Sequence, residues 1–166
     1  LDDIDGVYIS GYALLDFRSR DAVIAMIKKI KASGKPIYFD PTTTGALKVV
    51  SLEEALSWVS MMDGILLNSE EALYLGNSKD LVEAEKNLQK YAPLVVIKLG
   101  SKGAMAVNGN ESAKVPAVTT NVVDTTGAGD SFAAGFIPKW LETSDLTQAL
   151  TAGAALAAKC VSSVGA

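Results

Sequence analysis

The sequence predicts an α/β fold: a mostly parallel central sheet with helices on both faces, in three Rossmann-like layers. Over the first hundred residues, short apolar runs bounded by Gly or Pro alternate with longer segments whose apolar residues recur three and four positions apart. The chain has 166 residues, 49% of them hydrophobic, which is enough to bury a sizeable core. Because no repeat, low-complexity tract or linker interrupts it, we predict a single domain over residues 1–166.

The predicted elements follow one another along the chain. The strands are predicted over residues 7–10, 36–40, 64–67, 94–99, 104–107 and 112–118, with a hairpin turn at Asn108-Gly109-Asn110. The helices are predicted over residues 22–30, 51–61, 68–74, 80–91, 127–142 and 145–163, and Ser51 with Glu54 forms the start signal of the second.

Polar residues and glycines stand where four of these strands end, at Ser10-Gly11, Asp40, Asn68 and Gly100. Ligands of open parallel sheets collect at the carboxyl ends of the strands, so we expect the site on this rim. Asp40 is followed by Pro41, and the pair is either a simple strand stop or a support behind a metal ion.

Composition excludes several classes of function. The chain has no histidine, which rules out histidine-ligated zinc and the usual serine triad. Its net charge of −4 and lack of a basic stripe argue against a nucleic-acid partner, and no apolar run is long enough to predict a membrane partner. The single cysteine, Cys160, cannot form an internal disulfide, so we expect a cytoplasmic protein.

The most informative segment is a nine-residue run between an extended stretch and a helix: Asp124-Thr125-Thr126-Gly127-Ala128-Gly129-Asp130-Ser131-Phe132. Two glycines around a small residue at a helix start leave backbone N–H groups uncovered at the positive end of the helix dipole, where an anion binds. Asp130, in the first helical turn, could take a proton from a hydroxyl beside that anion. The alternative is an ordinary first-turn acid after a tight turn.

This run resembles the C-terminal signature of the ribokinase-like (PfkB) carbohydrate kinase family. The resemblance implies a ribokinase-like fold, with Asp130 as general base and Gly127, Ala128 and Gly129 as the anion hole. It extends over essentially the whole chain in the family's order. The family's N-terminal part, with its Gly-Gly motif and the lid that holds the acceptor, has no counterpart, so we expect a fragment. Positioning supplies about 7–11 kcal/mol of barrier reduction, and the fragment alone should therefore be nearly inactive.

A second motif, Asn68-Ser69-Glu70-Glu71, follows a predicted strand and opens a helix. As pure structure it is a capping box between Asn68 and Glu71. The resemblance implies that both residues serve Mg²⁺ and its waters around the nucleotide phosphates. Magnesium keeps most of its waters, so one Glu with one Asn is chemically sufficient.

A third motif, Lys98-Leu99-Gly100-Ser101-Lys102-Gly103, resembles the family's Leu-Gly-x-x-Gly turn at the nucleotide site. Its alternative is a hairpin whose glycines supply positive φ. Lys98 would be costly to bury without an anion, which suggests a phosphate contact. The residues expected to bind the nucleotide are Lys98, Gly100, Gly103, Thr126 and Asn68.

Asp124 and Thr126 match positions that contribute to a monovalent-cation site in some relatives, near the final helix and a Gly-Ala like Gly165-Ala166. Asp124 is therefore a candidate K⁺ ligand. The alternative is an Asx or ST turn that leads into the helix.

Together these motifs predict ATP-dependent phosphorylation of a hydroxymethyl group on a sugar or sugar-like small molecule, with ATP and Mg²⁺ as cofactors and K⁺ as a candidate third. The alternatives are a non-catalytic nucleotide-binding module and a nucleoside kinase of the same fold. Neither a Walker A loop nor the dinucleotide fingerprint is present in the sequence. A homodimer is a candidate assembly of the full-length protein.

Overall fold

The structure is a computed structural model that describes Leu1 and residues 3–164, and its centre is a six-stranded sheet. The strands are β1 (Val7–Ser10), β2 (Ile37–Asp40), β3 (Gly64–Asn68), β4 (Leu94–Lys98), β5 (Ala104–Asn108) and β6 (Glu111–Val115). They lie in the sheet in chain order. β1 and β2 pair in parallel, as do β2 and β3, whereas β5 and β6 form an antiparallel hairpin. The predicted α/β class with a mostly parallel sheet is confirmed.

Eight α-helices and one 3₁₀ helix, Gly100–Lys102, accompany the sheet in the described part of the chain. The α-helices are α1 (Tyr12–Leu15), α2 (Arg20–Ala32), α3 (Thr44–Leu47), α4 (Leu52–Val59), α5 (Ser69–Leu75), α6 (Leu81–Leu88), α7 (Ala128–Thr143) and α8 (Leu146–Val161). All six predicted helices are present. The four-residue helices α1 and α3 were not predicted, because a single turn shows no apolar period. None of these helices is both long and apolar enough to cross a bilayer.

The helix starts follow the local sequence. Ser51 accepts a hydrogen bond from the Glu54 N–H at 3.1 Å, as the start signal predicts. The Glu54 carboxylate, however, contacts Arg20 on α2, where Nη1 lies 2.6 Å from Oε1. Glu54 therefore pairs with Arg20, 34 positions away, instead of capping the start of α4 together with Ser51.

The chain divides into two compact units, Leu1–Val96 and Ile97–Ala166. In the first unit, β2 and β3 carry continuous buried apolar runs, as expected for inner strands of a parallel sheet. The register of β1 and β2 sets Ser10 opposite Asp40. Two of the residues expected on the rim therefore lie side by side at the carboxyl ends of their strands.

The second unit contains the β5–β6 hairpin and the two longest helices, α7 and α8. β6 ends at Val115 and not at residue 118, because Pro116 has no N–H to continue the ladder. The chain then runs without regular structure to the start of α7. This irregular stretch contains the first residues of the nine-residue signature.

Candidate functional site

The backbone at the start of α7 adopts the conformation that its glycine permits. Gly127 is the N-cap, with φ 74° and ψ −1°, in the left-handed region that side chains disfavour. No side chain caps this helix end. We call Gly127–Gly129 the cradle; all three residues are half-buried.

Hydrogen bonds in the loop decide which N–H groups the cradle can offer. The Ala128 N–H donates to the Thr125 carbonyl at 3.2 Å, and the first helical bond runs from Ser131 to Gly127 at 2.8 Å. The first N–H groups of a helix have no carbonyl acceptor within that helix. Of the three cradle residues, Ala128 has its N–H group engaged by the loop, which leaves Gly127 and Gly129 as the candidate donors to a ligand.

Asp130 lies in the first turn of α7 and its side chain is exposed. The residue is thus not packed into the core and lies at the helix start. A 16-residue helix places its positive end here. The arrangement permits both sequence interpretations, a first-turn acid and a base beside a bound anion.

Packing behind the cradle holds α7 in place. The rings of Phe132 and Phe136 are stacked with centroids 5.9 Å apart, and Phe136 stacks on Trp140 at 6.4 Å. The Phe132 ring also covers Gly153 of α8, where an added Cβ would lie 2.9 Å from Cζ. The apolar side of α7 is therefore tightly enclosed directly after Asp130.

The two glycines of the turn after β4 lie in different surroundings. Gly103 has φ 95°, and a Cβ there would lie 2.0 Å from the Val115 carbonyl oxygen, so the fold itself requires glycine. Gly100 has φ 59°, is exposed, and has no atom within 4 Å of an added Cβ. Lys98, at the end of β4, is half-buried. Among these residues Gly100 has open space around it, whereas Gly103 is accounted for by packing.

Asn68 and Glu71 form the capping box that the sequence indicated. The Asn68 side chain accepts from the Glu71 N–H at 2.9 Å, and Glu71 Oε2 accepts from the Asn68 N–H at 2.8 Å. The Asn68 amide nitrogen also donates to Glu71 Oε1. Glu71 is 3% exposed, so its carboxylate is a buried group held by its neighbour.

This pair fits a magnesium ion held through water. Amide and carboxylate oxygens are the ligands that Mg²⁺ prefers, and the ion keeps several waters. A carboxylate has about four lone-pair positions, so bonds from Asn68 do not exclude a further contact from a metal-bound water. Asn68 itself is exposed at the carboxyl end of β3.

Asp124 forms an Asx turn, with Oδ1 accepting from the Thr126 N–H at 2.9 Å. The turn that was the alternative to a K⁺ site for Asp124 and Thr126 is thus present. Gly165 and Ala166, the other part of the candidate K⁺ site, lie outside the described residues.

The contacts between the loop before the cradle and the end of α8 were not predicted from the sequence. Val161 and Cys160 both bond to residues of the loop before Gly127. No local pattern could have indicated them, because Cys160 and Thr126 are 34 positions apart.

A family model matches the whole chain, and four curated relatives match 61–97% of it. The profile described as pfkB family carbohydrate kinase matches residues 1–166. The 5-dehydro-2-deoxygluconokinase of Shouchella clausii is 32% identical over an alignment that covers 97% of this chain and 54% of that protein. The chain spans 40–54% of the length of four curated relatives that it matches.

Several solved structures are similar over nearly the whole chain, and two of them illustrate the likeness. A putative Ribokinase II from E. coli, in complex with ATP and Mg²⁺, has a TM-score of 0.90 and 28% identity, covering 99% of this chain and 55% of that one. The adenosine kinase of Sinorhizobium meliloti has a TM-score of 0.89 and 28% identity, covering 96% of this chain and 50% of that one.

Proposed function

The chain belongs to the PfkB family of carbohydrate kinases, as residues 124–132 indicated, and we propose that the full-length protein transfers the γ-phosphoryl group of ATP to a hydroxymethyl group of a sugar or sugar-like small molecule.

The observation that supports this proposal is the start of α7, where an exposed acidic residue follows a left-handed glycine at a helix N-terminus that no side chain caps. Asp130 accepts the proton of the attacking hydroxyl. The N–H groups of Gly127 and Gly129 stabilise the charge on the transferred phosphoryl group, together with the positive end of the helix. Positioning and charge stabilisation are the main needs of phosphoryl transfer, because the protein forms no covalent bond with the phosphoryl group.

Nucleotide binding is proposed for the remaining residues of the motifs. Lys98 and Thr126 contact phosphate, and the open surface at Gly100 lies against the nucleotide, while Gly103 keeps the turn in shape. Asn68 and Glu71 hold the waters of Mg²⁺, which when bound neutralises phosphate charge. Asp124 remains a candidate K⁺ ligand. The ATP and Mg²⁺ in the E. coli structure support this choice of cofactors.

The acceptor is proposed only as a class. One relative is named for a keto-deoxy sugar acid and one structural neighbour for adenosine, so a nucleoside kinase is the second candidate. Both candidates share the same transfer chemistry. They differ in which compound, from a panel of sugars, sugar acids and nucleosides, supports ATP consumption as the acceptor.

The decisive experiment measures acceptor-dependent ADP release by the full-length protein and its Asp130→Asn variant. Loss of the base should lower kcat by about 100- to 10,000-fold while ATP affinity persists. Glu142→Gln is the matched control, because Glu142 is exposed near the other end of the same helix and pairs with Lys139. Normal turnover in the Asp130 variant would refute the assignment. ATP binding without any acceptor-dependent turnover by the wild type would instead identify a nucleotide-binding module.

A further inference from the structure

The C-terminal turn of α8 holds the loop that leads into the cradle. The Val161 carbonyl accepts the N–H groups of Val123 at 2.7 Å and of Asp124 at 3.3 Å. One residue earlier, the Cys160 thiol donates to the Thr126 carbonyl, with Sγ and O 3.4 Å apart. One helical turn therefore fixes the loop at three points, all within the second unit.

The thiol contact sets the direction of a cradle donor. The Thr126 carbonyl and the Gly127 N–H belong to one planar trans peptide unit, so they point in opposite directions. A carbonyl held toward Cys160 turns the Gly127 N–H away from α8. Glycine alone would not hold this plane, because its backbone has the greatest conformational freedom of any residue.

The helix that provides this support is itself closely packed. α8 crosses α7 at Gly135 and Gly153, where a Cβ added to Gly135 would lie 2.5 Å from the Ala152 carbonyl oxygen. Since α7 begins in the cradle, α8 contacts both the loop before the cradle and the helix after it. The turn that contacts the Thr126 carbonyl thus belongs to a helix that is closely packed against α7.

We propose that Cys160 is a positioning residue for phosphoryl transfer, whose thiol holds the Thr126 carbonyl and so aims the Gly127 N–H at the transferred group. The inference rests on the proposed function and assigns Cys160 no contact with substrate. Serine is the conservative replacement, because its hydroxyl donates to the same carbonyl, whereas alanine removes the donor. Ser162 offers a matched control, since it is exposed at the same helix end and its hydroxyl donates to the Lys159 carbonyl at 2.7 Å.

The test compares Cys160→Ala, Cys160→Ser and Ser162→Ala in the full-length protein. The readouts are kcat, KM for ATP, Tm, and the affinity for ADP with aluminium fluoride, which mimics the phosphoryl group during transfer, relative to ADP alone. In the alanine variant kcat should fall about 10-fold. Deleting an oxyanion donor lowers kcat by roughly 100- to 1,000-fold, and the effect here is smaller because the N–H group remains. KM for ATP should stay within about twofold, since ground-state binding is unchanged. The serine variant should recover kcat, and Ser162→Ala should match the wild type.

An unchanged kcat in Cys160→Ala overturns the proposal, and so does a loss that follows Tm in both Cys160 variants. If the wild type shows no acceptor-dependent turnover, the proposed function fails, and the affinity ratio judges the positioning role separately. That ratio must then fall in the alanine variant and recover in the serine variant. An unchanged ratio overturns the proposal.

Discussion

Gly135→Ala tests the close crossing of α7 and α8 behind the cradle. Within a helix interior this change is ordinarily stabilising, since alanine is favoured over glycine by about 0.8–1.0 kcal/mol. Here the new Cβ would lie 2.5 Å from the Ala152 carbonyl oxygen and 3.0 Å from the Gly153 Cα. Both contacted atoms are backbone, so no flexible side chain can turn aside.

The expected loss of folding stability follows from these distances. Ordinary van der Waals contact begins near 3.4 Å, so the two helices must separate by about 0.9 Å. Overpacking of this kind costs roughly 1–3 kcal/mol, and the upper part applies when backbone must move. After subtraction of the gain in helix propensity, the free energy of unfolding should fall by about 1–2 kcal/mol, which lowers Tm by about 2–8 °C.

Thermal unfolding of the full-length protein measures this change, with Gly45→Ala as the matched control. Gly45 lies in α3, is exposed, and has no atom within 4 Å of an added Cβ, so the same substitution should stabilise by about 0.5–1 kcal/mol. A Gly135→Ala variant at least as stable as the wild type would refute the reasoning, because it would show that the helices separate without cost.

Two further predictions concern stability. Arg20→Ala should lower the free energy of unfolding by about 2 kcal/mol in urea titrations, because its half-buried guanidinium donates to Glu54 at 2.6 Å and to the last carbonyls of α1. The control is Arg18→Ala, which removes an exposed ion pair and should lower the free energy of unfolding by less than about 1 kcal/mol. Equal losses in the two variants would contradict this prediction. The backbone and side-chain N–H groups of Gln148 lower the pKa of Asp145, so its stabilising effect is present above the unfolded pKa of about 3.9 and is lost as pH falls through the lower folded pKa. The Tm difference between wild type and Asp145→Ala should therefore shrink in that acidic window, and a difference that stays constant there would exclude ionisation as its source.

Local sequence signals predicted much of the fold. The parallel strands and long helices have clear apolar runs and periods, and Asn68 and Asp80 mark their helix starts by side-chain chemistry alone. The errors are of two kinds. α1 and α3 are too short to show a period, and β6 ended early because a prediction from Val and Thr content gave too little weight to Pro116.

Contacts between distant positions could not be predicted. The Arg20 guanidinium reaches Glu54 across 34 residues, and Cys160 reaches Thr126 across the same number. Neither pair has a spacing that a helix or strand would explain. For the site, the sequence located the cradle and Asp130, and the left-handed Gly127 and exposed carboxylate agree with that location. Their catalytic roles stay predictions.

The capping and ligand interpretations of Asn68 and Glu71 are difficult to separate for a physical reason. A helix that follows a strand directly needs an oxygen acceptor for its first N–H groups, and the residues that supply one are Asn, Asp, Ser and Thr. The same junction lies at the carboxyl end of a strand, where phosphates and metal ions bind. An Asn or Asp placed there for the helix is thus already beside the ligand. Since one carboxylate can accept from the helix and from a metal-bound water together, observing the cap does not remove the ligand role.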